Sequence, residues 1–300
     1  MNESRKVSDI LAALKVGVIV AACGGIATAA VAALGLTSSA TIAPMTVGLA
    51  MLVGVAHYWK TMQAQITTEQ SRTVARRFKA LEEQIAETQG LVQLSGAALP
   101  YPLAFGGDYA LTADAAAVLA RRVTLRRPRI VVELGSGVST ILVAKLLENL
   151  GGGRIYSLEH DPAWAAETRK HIVAAGLEEH AEVLDAPVTQ QQVEGRNYLW
   201  YKIPAQIRAL EQIDLLIVDG PPQRLDPEGL PRYPALPKLL PQLSESAEIF
   251  VDDAKRAAER EMVRLWLERF PGWQAQQLRT VPGTCLLLRV PRPGEHSEGA

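Results

Sequence analysis

Apolar runs of strand length recur through the second half of the chain, separated by segments of helix length. The runs are RIVVEL (129–134), RIYSLE (154–159), AEVLDA (181–186), IDLLIVD (213–219), AEIFVD (247–252) and TCLLLRV (284–290). The helix-like segments are 138–149, 162–175, 204–211, 234–243 and 254–270. Strands that are apolar throughout and alternate with helices predict a parallel sheet covered on both faces. The fold class is therefore α/β.

The last two runs differ from the others because almost nothing separates them. WQAQQLRT and TCLLLRV are joined by VPG, which is a turn signal between adjacent strands. We expect the sheet to finish with an antiparallel hairpin. A Rossmann-like domain over residues 110–290 is predicted, followed by a disordered tail at 291–300.

Two runs without acidic or basic residues, apart from His57 in the second, lie near the N-terminus, at 16–36 and 42–59. Each is long enough to cross a hydrocarbon layer of about 30 Å as a helix. The short connector predicts an antiparallel hairpin, and lysines and arginines flank its outer ends, which places both ends in the cytoplasm. A cleaved signal peptide would have a shorter apolar region. We expect residues 1–59 to be a multi-pass anchor in the lipid bilayer, with the C-terminal domain in the cytoplasm.

The segment 60–93 is polar but keeps a helical pattern. An apolar heptad seam runs along it through Val74, Phe78, Leu81, Ile85, Thr88 and Val92. Two interpretations remain open: a coiled-coil stalk that forms a homodimer, and a single amphipathic helix that lies on the C-terminal domain or on lipid. Residues 94–109, rich in proline and glycine, are interpreted as a linker or lid.

Charge and cysteine content exclude some classes of protein. The formal net charge is −1. The chain therefore lacks the large excess of basic residues that is typical of nucleic-acid-binding proteins, and we expect no nucleic-acid partner. Cys23 and Cys285 lie far apart and predict neither a disulfide framework nor a metal knuckle, which fits a reducing compartment.

The stretch VVELGSGVST (131–140) follows the first strand. In parallel sheets ligands bind at the carboxyl ends of the strands, and glycines there let the backbone approach a ligand. The helix predicted from Val138 adds free N–H groups. A dinucleotide fingerprint would place glycine or alanine at 140, where this chain has Thr140, so a nicotinamide cofactor is disfavoured.

Two carboxylates end the next strands. Glu159 lies 22 residues after Gly137, in position to accept hydrogen bonds from ribose hydroxyls. Asp185 ends the third strand, where its carboxylate or the neighbouring backbone faces an adenine amino group. The ligand implied is a nucleoside.

Together ELGSGVST, SLEHDP, the aspartate of EVLDAP, IDLLIVDGPP and the final hairpin resemble the class I S-adenosylmethionine-dependent methyltransferases, in the branch with ELGSG.ST and DGPP motifs. The resemblance covers about residues 100–290. It implies S-adenosyl-L-methionine as cofactor. The residues it implies around the methionine part are Glu133, Gly135, Ser136 and Gly137, those at the ribose and adenine are Glu159 and His160, and those lining the adenine pocket are Asp185 and Ala186.

Asp219, which follows the fourth strand, emerges where the methyl group would be presented and is the candidate catalytic residue. With Asp252 and Asp253 after the fifth strand it offers three carboxylates to a hard cation such as Mg²⁺. The set resembles that of catechol O-methyltransferase and the metal-dependent sugar O-methyltransferases. The alternative is that Asp253 caps the helix that follows.

The general base stays open. The metal-dependent relatives often keep a lysine three residues after the first aspartate, and Pro222 stands there in this chain. Asp219 itself, or a residue of the predicted loop 187–203, is the remaining candidate.

Substrate contacts are expected from irregular segments. Two aromatic groups are candidates for packing on an acceptor or for local core: Tyr101, Phe105 and Tyr109, and Tyr198, Trp200 and Tyr201. Arg224 and Arg232 are candidates for reading a carboxylate or phosphate, or are simply solvated.

These observations predict a membrane-anchored methyltransferase acting on an oxygen of a membrane-proximal, lipid-linked, glycan or small hydrophobic acceptor. The alternatives are a non-catalytic membrane scaffold with a methyltransferase-like binding domain, and a nicotinamide-dependent oxidoreductase.

Overall fold

The computed structural model describes residues 33, 39–97, 99, 103–106, 110–227 and 229–290, and within 39–51 it describes the backbone alone. Several expectations concern residues outside these ranges. They are the first membrane span, of which only Ala33 is described, and Cys23, Tyr101, Tyr109 and the tail 291–300. The chain divides into two compact units, residues 1–81 and 82–300.

A single long helix, α1 (Ser39–Leu94), contains the second predicted span and the whole predicted stalk. Among the side chains that are described, no helix is both long and apolar enough to cross a membrane. The apolar seam side chains from Val74 to Val92 are about half exposed or more, and Thr88 is exposed as well. Coiled-coil pairing stays a prediction.

The end of α1 packs within the second unit. Leu94 is buried, and the carboxylate of Glu87 accepts a hydrogen bond from Ala113 N at 2.8 Å. A side chain at Gly90 would overlap with the backbone of Ala113. This contact is with a helix, α2 (Ala113–Arg126), that the sequence reasoning missed, although its alanine-rich composition has high helix propensity.

The second unit is built on a seven-stranded sheet in the order β3-β2-β1-β6-β7-β9-β8. The strands are β1 (Ile130–Leu134), β2 (Arg154–Glu159), β3 (Ala181–Asp185), β6 (Ile213–Val218), β7 (Leu243–Val251), β8 (Trp273–Leu278) and β9 (Thr284–Arg289). The first five in the order are parallel, and β9 pairs antiparallel with both β7 and β8. The predicted Rossmann-like sheet and its terminal hairpin are confirmed.

Helices cover both faces of this sheet. Besides α2 they are α3 (Val138–Asn149), α4 (Pro162–Ala175), α5 (Ala205–Arg208), α6 (Ala235–Leu239) and α7 (Ala257–Arg269). Neighbouring strand residues point to opposite faces, so Val131 joins the buried cluster under α2, α3 and α4, whereas Val132 joins the cluster under α6 and α7.

The segment 187–203, predicted as a loop, contains an antiparallel hairpin of β4 (Val188–Val193) and β5 (Arg196–Tyr201). Glu194 and Gly195 connect the strands with positive φ angles of 49° and 81°. Two positive φ values are the signature of the two-residue turns that hairpins prefer. The polar run in β4 hid this hairpin from the sequence pattern.

Candidate functional site

The glycine turn after β1 leaves its backbone open. Gly135 and Gly137 have φ of 112° and 149°, a region that side chains rarely adopt. A Cβ atom placed on Gly137 would meet no described atom within 4 Å. The glycine is therefore required by the backbone conformation, and the space beside it is available to a ligand.

Glu133 fixes this turn from below. Its Oε2 accepts hydrogen bonds from Thr140 Oγ1 and Ser157 Oγ, each at 2.6 Å. Thr140 Oγ1 in turn accepts one from Gly137 N at 3.1 Å. Thr140, which departs from the dinucleotide fingerprint, thus connects the glycine turn to β1 through hydrogen bonds. The sequence pattern did not predict this role.

The Glu133 carboxyl is 1% exposed, and its Oε1 has no partner among the described residues. Burial raises the pKa of Glu133 to about 7, against the hydrogen bonds from the nearby hydroxyls. A buried oxygen without a partner beside an open turn suits a ligand that donates a hydrogen bond.

Glu159, at the end of β2, is held in place by its own chain. Its Oε1 accepts hydrogen bonds from His160 N and Asp161 N, and its Oε2 accepts one from Ser136 Oγ at 3.1 Å. His160 Nδ1 lies 2.9 Å from Oε1. Burial acts to raise the pKa of Glu159, but these contacts outweigh it and lower the pKa, so the group is an anion.

The two residues predicted to line the adenine pocket lie differently. Ala186 is fully buried, and its N–H donates to Glu159 O at 2.7 Å. The Asp185 side chain is 69% exposed and accepts a hydrogen bond from Arg169 at 2.7 Å.

Asp219, Asp252 and Asp253 converge. Carboxylate oxygens of the three lie within 4.8 Å of one another, because β6 and β7 are adjacent and parallel. The following helix α7 begins at Ala257 with Arg256 in the capping position. The alternative that Asp253 caps this helix is therefore wrong.

Arg232 is built into the same cluster. It is 4% exposed, with Nη2 at 3.3 Å from Asp253 Oδ2 and 3.6 Å from Asp219 Oδ1. Its Nη1 lies 3.5 Å from Glu259. The guanidinium is thus engaged by this chain's own carboxylates, so it is not free to read a substrate anion; Arg224 lies exposed in a short turn.

The charges of this cluster leave room for a cation. Asp219, Asp252, Asp253 and Glu259 bring four negative charges when ionised, and Arg232 with Arg256, whose guanidinium lies 2.7 Å from Asp253, brings two positive ones. Asp252 Oδ1 is buried and has no hydrogen-bond partner among the described residues. Burial, followed by the neighbouring carboxylates, raises the pKa of Asp252 well above its usual range. The set of carboxylate oxygens fits a divalent ion, whose charge would favour the ionised form of these groups.

Tyr201, at the end of β5, reaches the junction of β1 and β6. A side chain on Gly220 would overlap with the Tyr201 hydroxyl, and its Cβ would lie 3.1 Å from Leu134 O and 3.4 Å from Gly135 N. Burial raises the pKa of Tyr201 well above its usual value, so the phenol is neutral and is no general base. The other two aromatic residues of this predicted group belong to the core: Trp200 is fully buried and Tyr198 stacks on Tyr233. Phe105 also packs against a buried cluster.

A family model described as a methyltransferase domain matches residues 132–254, somewhat less than half of the chain. Proteins named "Transmembrane O-methyltransferase" from Homo sapiens and Pan troglodytes are each 43% identical over 65 residues, which is 21% of this chain. The alignment spans 22%, about a fifth, of the length of those relatives.

Solved structures similar to the chain include an SAH-bound methyltransferase of Podospora anserina, with a TM-score of 0.48 and 15% identity, covering 73% of this chain and 96% of that one. An O-methyltransferase of Bacillus cereus in complex with SAH has a TM-score of 0.46 and 18% identity, covering 68% and 90%.

Proposed function

We propose that this chain transfers a methyl group from S-adenosylmethionine to an oxygen of its acceptor. The observation that carries the proposal is the open glycine turn at Gly135 and Gly137, with the buried carboxylates of Glu133 and Glu159 beside it. The methyltransferase-domain match over residues 132–254 and the SAH-bound neighbours support it.

The charges suit this cofactor. Glu133 Oε1, which has no partner among the described residues, is the acceptor for the ammonium of the methionine part, next to the backbone of Gly135, Ser136 and Gly137. Glu159 accepts from the ribose hydroxyls on lone pairs that its present partners leave. His160, Asp185 and Ala186 lie at the adenine end in this proposal. A sulfonium cation is favoured near these acids.

Asp219, Asp252 and Asp253 would hold a divalent cation such as Mg²⁺. When bound, the ion would lower the pKa of an acceptor hydroxyl. Arg232 holds two of these carboxylates in position. In the reaction the acceptor oxygen attacks the sulfonium methyl in line, the carbon–sulfur bond breaks, S-adenosylhomocysteine leaves neutral, and the hydroxyl proton goes to a base. Asp219 is the proposed base.

We also propose attachment to a membrane through the runs 16–36 and 42–59, with the catalytic domain in the cytoplasm. The support is the length and charge-free character of these runs, and the name of the partial relatives. Anchoring raises the concentration of an enzyme beside lipid-linked or hydrophobic acceptors, which favours such a substrate. The seam from Val74 to Val92 is proposed as the contact for a homodimer.

Equilibrium binding tests the cofactor. The full chain, purified in detergent, is titrated with S-adenosylmethionine, S-adenosylhomocysteine and NADH by calorimetry. We expect binding of the first two, loss of affinity in Glu159→Gln, and no change in the control Glu167→Gln, whose side chain is half exposed on α4. Binding of NADH alone would favour an oxidoreductase, and binding of none a scaffold.

A labelling experiment tests turnover. Membranes that contain the protein are incubated with methyl-labelled cofactor and separated into lipid, glycan, small-molecule and protein fractions. Label in an oxygen ester or ether that is lost with Asp219→Asn supports the proposal. Cofactor binding without label in any fraction would leave a binding scaffold as the better description.

A further inference from the structure

The hydroxyl of Tyr201 is a buried polar group without an evident use. The residue is 1% exposed, and its oxygen has no hydrogen-bond partner among the described residues. Leaving a buried hydroxyl unpaired costs about 1–3 kcal/mol. A phenylalanine would fill the same space without that cost, so the retained oxygen points to a ligand.

The position of this oxygen narrows the choice of ligand. It contacts Gly220, directly after Asp219, at a point close to Leu134 O and Gly135 N. It therefore lies beside the start of the glycine turn and next to the residue that follows Asp219. In the proposed function, the turn holds the methionine part of the cofactor and Asp219 lies at the acceptor.

The surroundings of the hydroxyl favour a cation. Glu159, Asp219 and Glu133 are all close enough to act on it electrostatically, and Arg232 opposes them. Among the described residues, no carboxylate forms a hydrogen bond with the oxygen. A neutral phenol offers its lone pairs, the negative end of its dipole, to a ligand that contacts it.

We propose that the Tyr201 hydroxyl faces the sulfonium of bound S-adenosylmethionine and makes the site bind this charged cofactor in preference to the neutral product S-adenosylhomocysteine. The inference rests on the proposed function. The physical basis is a fixed dipole directed at a positive charge in a site shielded from water, where such interactions are stronger than in solution. The product has lost that charge, so it gains little from the same oxygen.

The test compares the affinities of the full chain for both ligands. Wild type, Tyr201→Phe and the control Tyr198→Phe are titrated with S-adenosylmethionine and with S-adenosylhomocysteine. Tyr198 lies in the same hairpin but stacks on Tyr233, so its variant removes a hydroxyl from a different place, away from Gly220. We expect Tyr201→Phe to weaken binding of the charged cofactor about tenfold and that of the product less than about threefold, which corresponds to one charged hydrogen-bond-like contact.

Thermal unfolding without ligand separates this role from a structural one. Tyr201→Phe should unfold at the same temperature as wild type or higher, because the variant removes an unpaired buried polar group. A lower unfolding temperature, or an equal loss of affinity for both ligands, would overturn the inference. If wild type binds neither ligand, the proposed function itself fails and the inference falls with it; if wild type binds both and Tyr201→Phe matches it, the inference alone fails.

Discussion

Thr140 Oγ1 lies 2.6 Å from Glu133 Oε2 and donates a hydrogen bond to that carboxylate. The same oxygen accepts a hydrogen bond from Gly137 N. One hydroxyl on the first turn of α3 therefore links the end of β1 to the glycine turn. The conformation that leaves the backbone of Gly137 open depends on this link.

Replacing Thr140 with valine should destabilise the domain by about 1–3 kcal/mol, because Gly137 N loses its acceptor and Glu133 loses a donor. The affinity for S-adenosylmethionine should fall as well, since the glycine turn is no longer fixed. Urea unfolding and calorimetry measure the two effects. Thr140→Ser keeps the hydroxyl and should restore most of both.

A matched control is available on α2. Thr124 donates its hydroxyl to Ala120 O in an exposed position, so Thr124→Val removes a hydroxyl of the same kind without touching the site. Equal effects of the two valine variants would show that the link from Thr140 to Glu133 is of no special importance.

The strand runs and the order of motifs could be predicted from the sequence because parallel strands are apolar throughout and their ends carry the polar residues. The convergence of Asp219 and Asp252 followed from this topology. What Asp185 does could not be foreseen in the same way. Its ion pair with Arg169 depends on how α4 packs beside β3, and no local pattern reports that contact.

Two other site residues were hidden for physical reasons. From the sequence, Arg232 is indistinguishable from a solvated arginine in a loop. Its ion pairs with Asp219 and Asp253 depend on the tertiary packing of that loop. Tyr201 reaches the site because β4 and β5 form a hairpin, and the glutamines of β4 lack the apolar alternation that predicts a strand.

The raised pKa of Glu133 predicts a pH dependence of stability. Its pKa is about 7 in the folded protein, above the ordinary 4.5, so the unfolded chain releases this proton at lower pH than the folded one. The free energy of unfolding should therefore decrease as pH rises from about 4.5 to about 7, by about 3 kcal/mol in total. The contribution is favourable below this window and lost above it.

Glu133→Gln should remove this slope, because the amide does not titrate. Relative to wild type, the variant should gain stability as pH is raised from 5 to 8, which urea unfolding at several pH values measures. Glu178→Gln, at an exposed position, is the control. A pH profile of Glu133→Gln parallel to that of wild type would show that Glu133 does not titrate in this range.

Substitution of Arg232 should cause a large loss in the free energy of unfolding. Replacing it with methionine keeps the aliphatic stem but leaves Asp219, Asp253 and Glu259 without their buried counter-charge. Removal of one partner of a buried ionic cluster costs about 3–5 kcal/mol. The urea midpoint should fall accordingly, whereas Arg264→Met, on the exposed face of α7, should leave it unchanged. A stable Arg232→Met protein would mean that these carboxylates are protonated or solvated.

Replacing Asp252 with asparagine should have opposite effects on metal affinity and on the stability of the metal-free protein. Its Oδ1 is buried without a partner among the described residues, so Asp252→Asn should stabilise the metal-free protein by removing an uncompensated carboxylate. The same change should weaken binding of Mn²⁺, used as a probe for Mg²⁺, on the order of tenfold or more, because an amide oxygen is a poorer ligand than a carboxylate.

Titration of the full chain with Mn²⁺, followed by electron paramagnetic resonance of the free ion, measures the affinity, and thermal unfolding in the presence of a chelator measures the stability. Asp185→Asn is the control, because that carboxylate is exposed and paired with Arg169. If Asp252→Asn binds Mn²⁺ as wild type does, the three aspartates are not the metal site, and a gain in stability alone would then describe a cluster whose charge is balanced by Arg232 and Arg256.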